Sequence, residues 1–148
     1  LLGKTVRAYA LATISRTLGL LLKSGLTVAE SLPVVAAATQ NELYKAALVG
    51  FQGTVLRGGL LSNCFKESSS LFPQVVTAIT ATGEQSGKLA DSFVYIAELY
   101  EEEISDITKN LSNLLEPVLM LVMGIVVGFI AISIIAPIYA LTGNLHSN

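Results

Sequence analysis

Tryptophan is absent from this 148-residue sequence, and cysteine and histidine occur once each, as Cys64 and His146. A single cysteine allows no internal disulfide and no cysteine-rich zinc site. The single histidine stands between Leu145 and Ser147 near the end of the chain, so a nucleophile elsewhere has no imidazole base to activate it. Charge is also scarce: Asp, Glu, Lys and Arg make up 14% of the residues, and none follows Glu116. Nine basic residues against eleven acidic ones leave a net charge of −2. Nucleic-acid binders show a basic face or stripe, and nothing here provides one, which excludes that partner class. No catalytic, metal or cofactor site is expected.

Apolar residues, by contrast, are abundant, at 52% with a mean hydropathy of +0.64, beyond what a soluble domain of ordinary composition carries. The excess is concentrated in PVLMLVMGIVVGFIAISIIAPIYAL, residues 117–141. A helix of that length, at about 1.5 Å per residue, crosses roughly 30 Å of hydrocarbon. A buried helix of a soluble protein would carry a polar face over such a length, so a membrane span over 116–141 is predicted. Pro137 should kink the span or mark its exit. All basic residues precede it, Lys109 being nearest, which places residues 1–115 in the cytoplasm and the short tail 142–148 on the other side of the membrane. The opening Leu1-Leu2-Gly3 lacks a Met and reads as a cut from a longer polypeptide.

Before the span, apolar residues recur three and four apart and strand-type alternation is never sustained, so the class is all-α. About six helices are expected. The first covers about 4–24, with Leu11, Ile14, Leu18 and Leu21 on one face and Gly25 as a left-handed stop. Thr27 and Glu30 have capping-box spacing. Pro33, six residues on, removes a backbone bond, so the second helix either kinks there or starts later. A third covers 41–57, weakened by about 1 kcal/mol at each of Gly50 and Gly53. Gly58-Gly59 breaks the pattern, Ser62 is placed to cap a short fourth helix to about 68, and Pro73 suits the first position of a fifth that ends between Gly83 and Gly87.

The last helix should start near Lys88. Phe93, Ala97, Tyr100, Ile104, Ile107, Leu111, Leu114 and Val118 follow one another in alternating steps of four and three, a heptad seam that leads into the span across Glu116-Pro117. Pro117 is a point where such a rod would bend. Ser24-Gly25 before Ala29-Glu30-Ser31-Leu32 is echoed by Ser86-Gly87 before Ala90-Asp91-Ser92-Phe93. The expected architecture is an antiparallel six-helix bundle whose last helix continues into one C-terminal transmembrane helix, and the echo is read either as two three-helix halves or as chance similarity between helical segments.

Few residues stand out as sites. Glu101, Glu102 and Glu103, with Glu98 and Asp106, form an acidic stretch; consecutive helical positions point apart, which disfavours a cation cage and leaves a solvated face or a docking surface for a basic partner. Gly124 and Gly128 form a GxxxG step, read either as a place where another membrane helix approaches closely or as the ordinary tolerance of membrane helices for glycine. Glu116 belongs at the membrane border, where a helix N-terminus or an interfacial cation can stabilise it.

Taken in order, Leu71-Phe72-Pro73, Gly83-Glu84-Gln85-Ser86-Gly87-Lys88-Leu89, Tyr100-Glu101-Glu102-Glu103 and Leu115-Glu116-Pro117 resemble the type II secretion F-domain family. Leu21-Leu22-Lys23-Ser24-Gly25 and the closing GIVVGFIAISIIAPIY are similar to it as well, so the resemblance covers nearly the whole chain. It implies the second cytoplasmic domain and last span of a non-enzymatic inner-membrane platform in a type II secretion or type IV pilus machine. The partners implied are a hexameric assembly ATPase, pilin or pseudopilin subunits, other inner-membrane platform components and further copies of the chain. Gly83, Glu84 and Gly87 fall on the family's Gly-Glu…Gly turn, and Glu116 and Pro117 on its Glu-Pro at the membrane border, as structural or coupling positions. Around 50–61 the chain departs from the family, carrying Gly, Phe and Leu with only Arg57 where relatives are more charged.

Two other classes compete. A structural subunit of an ion-driven inner-membrane motor or other export complex also joins cytoplasmic to membrane helices, but needs a polar group deep in its spans. Only Ser133 qualifies. A membrane-anchored enzyme needs convergent titratable groups, which the sequence does not supply.

Overall fold

The computed structural model describes residues 2–146. Within them all regular structure is helical, in six elements: α1 Leu2–Lys23, α2 Val28–Ala38, α3 Glu42–Leu56, α4 Leu61–Glu67, α5 Gln74–Ser86 and α6 Leu89–Leu145. The all-α class, the six helices and the long apolar last helix are as expected. The chain divides into two compact units, Leu1–Asp106 and Ile107–Asn148. The last two residues of the expected tail, 147–148, lie outside the described residues.

In the first unit, the connections into α2 and α3 are each a short stop followed by a side-chain cap. At the end of α1, the amide of Gly25 donates to the Leu22 carbonyl and that of Leu26 to the Leu21 carbonyl, a pairing that needs the positive φ of 97° found at Gly25. Thr27 then caps α2 through the predicted box: its hydroxyl accepts from the Glu30 amide, and the Glu30 carboxylate accepts from the Thr27 amide. That carboxylate is held below its usual range by these bonds. Helix α2 starts at Val28 and runs through Pro33. The ring nitrogen of Pro33 leaves the Ala29 carbonyl without its amide donor, and Gln52 of α3 supplies one, its Nε2 donating at 3.2 Å. Asn41 caps α3 by accepting from the Leu43 amide.

Two expected caps are displaced by a residue or more. Pro73 is the N-cap of α5 rather than its first helical residue. Ser62 lies inside α4, whose N-cap is Leu60, a residue with no side-chain acceptor to offer.

The core of this unit is aromatic. Phe51, Phe65, Phe72 and Phe93 are buried together with Tyr44. Phe65 and Phe72 stack with centroids 4.2 Å apart, while Tyr44 and Phe93 meet them edge-on, geometries that contribute about 0.5–1.5 kcal/mol per pair beyond area burial. Aliphatic residues of α1, α2 and α3 complete it, with Leu18, Leu32 and Leu48 inaccessible. The seam of α6 joins this core through Phe93, Ala97 and Tyr100, with Ile104 partly buried against it.

The second unit is a helical segment whose side chains are almost all exposed. Leu111, Leu114 and Val118, expected to continue the packed seam, are 66%, 65% and 56% accessible. Helix α6 runs on through Pro117 and Pro137 to Leu145, so neither proline ends it.

Candidate functional site

The motifs singled out in the sequence take distinct places. Leu71-Phe72-Pro73 closes the core: the Tyr44 hydroxyl donates to the Leu71 carbonyl at 2.9 Å, Phe72 stacks on Phe65, and Pro73 is the N-cap of α5. Burial pushes the Tyr44 phenol up, an effect that the nearby Arg7 charge partly offsets.

The turn at Gly87-Lys88 joins α5 to α6. Gly87 adopts the left-handed conformation at φ 68°, which a side chain would strain. The Gly83 carbonyl accepts from the amides of both Gly87 and Lys88. Gly83 itself is buried, and a Cβ on it would sit 2.8 Å from Ser92 Cβ and 3.1 Å from Leu89 Cα. A hydrogen at this position therefore sets how closely α5 and α6 approach.

Glu84 reaches across from α5 to the start of α4. Its carboxylate accepts from the Leu61 amide at 2.6 Å, from the Ser62 amide at 3.3 Å and from the Ser62 hydroxyl. This supplies the acceptor that Leu60 lacks and sets a negative charge at the positive end of the helix. Glu84 lies within α5 rather than in the turn that follows it, and its partner on α4 was not readable from the sequence, because the local Ser62 looked like a sufficient cap.

Tyr100-Glu101-Glu102-Glu103 divides into three roles. Tyr100 is buried, and burial raises its phenol, with the Glu103 charge adding to the effect. Glu101 accepts two hydrogen bonds from Arg16 of α1, Nε to Oε1 at 3.0 Å and Nη2 to Oε2 at 2.6 Å. The hydrogen bond from Arg16 holds Glu101 below the usual carboxylate range, and the same bond raises Arg16. Glu102 and Glu103 are exposed. Arg16 escaped sequence reading, since nothing in a lone arginine on α1 signals a partner on α6. Tyr9, Ala12, Thr13, Arg16, Thr17, Glu101 and Ile104 line an open groove of about 320 Å³ whose charged groups already neutralise each other. Among the described residues no group of three His, Cys, Asp or Glu side chains is placed to hold a metal ion.

In the second unit Glu116, Pro117, Gly124 and Gly128 are exposed apart from a half-buried Gly128, and a Cβ on either Gly124 or Gly128 would meet nothing within 4 Å. None of the most apolar 18-residue window of α6 is buried, and α6 is the one helix among the described residues long and apolar enough to cross a membrane. Lipid or other apolar helices must cover such a surface, because a helix apolar on all sides is not sustained by water.

A helical domain held by turn glycines and carboxylate caps, with a last helix that carries a membrane-length apolar segment, is consistent with a membrane protein. The family model for "Type II secretion system (T2SS), protein F" matches residues 14–137. Type IV pilus assembly protein PilC of Pseudomonas aeruginosa is 34% identical over 143 residues, covering 97% of this chain and 38% of PilC. Type IV pilus assembly protein TapC of Aeromonas hydrophila is 30% identical over 139 residues, covering 94% of this chain and 33% of TapC. Type II secretion system protein F of Pseudomonas aeruginosa is 29% identical over 141 residues, covering 95% of this chain and 35% of that protein. The chain belongs to the type II secretion system protein F family, and it spans roughly a third of the length of these relatives.

Proposed function

We propose that this chain is the membrane-proximal part of a non-enzymatic inner-membrane platform in a type II secretion or type IV pilus assembly machine. Residues 1–115 form a cytoplasmic antiparallel helical bundle of two three-helix halves, 116–141 cross the membrane and 142–148 emerge on the periplasmic side. Contacts between α1 and α6 speak for the antiparallel layout, since Arg16 meets Glu101, Gly19 faces Val94 and Lys23 meets Asp91, in opposite chain order. The similar turns at Gly25 and Gly87, both with positive φ, speak for the halves.

The observation that carries this reading is α6: a single helix, Leu89–Leu145, starts among core residues and ends as an uncharged apolar segment. A hexameric assembly ATPase reorients the bundle, and α6 passes that movement to pilin or pseudopilin subunits in the bilayer. Gly83, Glu84 and Gly87 hold α6 on the bundle, Glu116 and Pro117 mark its arrival at the membrane, Gly124 and Gly128 admit a neighbouring helix, and exposed Glu102 and Glu103 dock a basic partner. Glu101, held by Arg16, orients that acidic face. Other platform components and further copies of the chain complete the assembly.

The test is recovery of the full-length protein from mildly crosslinked membranes. Co-recovery of an assembly ATPase and a pilin-like subunit is expected, reduced when Glu102 and Glu103 are both changed to Lys. Recovery of neither would overturn the reading, as would normal secretion or piliation after a helix-breaking insertion at Asn110.

A further inference from the structure

The outer face of α3 is apolar where a solvent-exposed helix face is ordinarily polar. Tyr44, Leu48 and Phe51 face the core. On the opposite side, at helical spacing, lie Leu43, Ala46, Val49, Gly50, Gly53 and Leu56. Leu43, Val49 and Leu56 are 68%, 56% and 68% accessible. The glycines there are not required by the domain's own packing. Neither Gly50 nor Gly53 has positive φ, a Cβ on Gly50 would meet nothing within 4 Å, and one on Gly53 only the movable tip of Arg57 at 3.5 Å. Glycine in a helix interior lowers helix stability relative to alanine, so the fold carries a cost there without a return inside the domain.

We propose that this face pairs with the same face of a second copy of the chain, α3 against α3, antiparallel about a two-fold axis between Val49 and Gly50. The order of residues is self-complementary about that point. Leu43 lies level with the partner copy's Leu56, Ala46 with its Gly53 and Val49 with its Gly50, so side chains oppose gaps at the centre and the two backbones approach closely. Charge is complementary at both ends. Glu42 lies level with the partner copy's Arg57, and symmetry repeats the pair. In the single chain Glu42 makes only a 3.7 Å contact with Lys45, on the same helix, with 82% of its side chain exposed. The face, about 22 Å long and about 10 Å wide, falls short of the roughly 1,000 Å² that an independent interface buries. The pairing therefore operates between copies already concentrated by membrane attachment, where a weak contact suffices.

The test is disulfide crosslinking of the full-length protein in its native membrane. Val49→Cys lies beside the axis, Tyr95→Cys is an exposed control on α6, the native Cys64 is buried, and any cysteine elsewhere in the full-length protein is replaced by serine. Under mild oxidation Val49→Cys is expected to give linked dimers and Tyr95→Cys none. Adding Glu42→Arg or Arg57→Glu alone should lower the Val49→Cys yield about fivefold, since symmetry removes two exposed ion pairs, and the two together should restore it. Gly50→Leu should abolish the crosslink while thermal unfolding shows the domain no less stable. Equal yields at Val49→Cys and Tyr95→Cys, no rescue by the double reversal, or crosslinking of Val49→Cys only to a different protein would each overturn the proposal. Alkaline extraction of the same membranes shows whether the protein is inserted, so failure of pairing is distinguished from failure of the membrane reading.

Discussion

The two ends of α6 are built from similar residue types under opposite rules. Near its start, Phe93, Ile96 and Ala97 are at most 1% accessible, and Phe93 meets Phe65 of α4 edge-on. Near its end, Ile125, Val127 and Ile130 are 64%, 58% and 53% accessible, and no position is distinguished from the next by what it touches. Packing at one end depends on shape. The other end depends on the sum of hydropathy over its length. A substitution that changes shape should therefore damage only the first, and one that adds charge to an exposed position should damage only the second.

The largest effect is expected from Phe93→Ala. It removes a fully buried ring that meets Phe65 edge-on, and should lower unfolding stability of the helical domain by about 3–5 kcal/mol, measured by denaturant titration. Membrane retention should not change. Conversely, Val126→Arg should cost about 2.5–3.5 kcal/mol of insertion free energy, seen as protein released by alkaline extraction, with unfolding of the domain unaltered. If both variants weaken both properties, the comparison fails.

Smaller effects sharpen the account of the α5–α6 turn. Gly83→Ala places a methyl against Ser92 and Leu89 and should cost about 1–3 kcal/mol through overpacking. Glu84→Gln removes a charged acceptor from the start of α4, for a loss of about 1–2 kcal/mol by thermal unfolding. Glu101→Gln should cost less than either, because its ion pair with Arg16 is half-exposed and screened.

The smallest expected effect concerns pH. Glu30 and Glu101 both have folded-state values depressed below the ordinary 4.5. Their contribution is therefore present above that value and lost as pH falls through their folded-state values. Unfolding measured from pH 6 downward should show an acid-side loss of stability that is shallower in the Glu30→Gln, Glu101→Gln double variant.

Local rules were legible in the sequence, and tertiary partners were not. The Thr27–Glu30 box could be read because both groups lie within one helical turn. Whether α2 would survive Pro33 could not, because the donor for the freed Ala29 carbonyl is Gln52, on another helix. Ser62 suggested a local cap, while the acceptor at the start of α4 comes from Glu84, on α5. The heptad seam was extended to Val118 because periodicity carries little information once every position is apolar; burial along α6 fades after Ile104. Family membership was legible from the order of several short motifs, of which Leu71-Phe72-Pro73 closes the core and Gly83-Glu84 packs α5 on α6 and caps α4.

The most direct test of the central claim is accessibility of single cysteines to a membrane-impermeant maleimide, at Ser69 in the helical domain, Val126 in the apolar segment and Thr142 near the end of α6. The account predicts that Thr142→Cys is labelled once only the outer membrane is opened, Ser69→Cys only after the inner membrane is permeabilised, and Val126→Cys under neither condition. Labelling of Val126→Cys as fast as Ser69→Cys would contradict it, placing the apolar segment in water rather than in lipid.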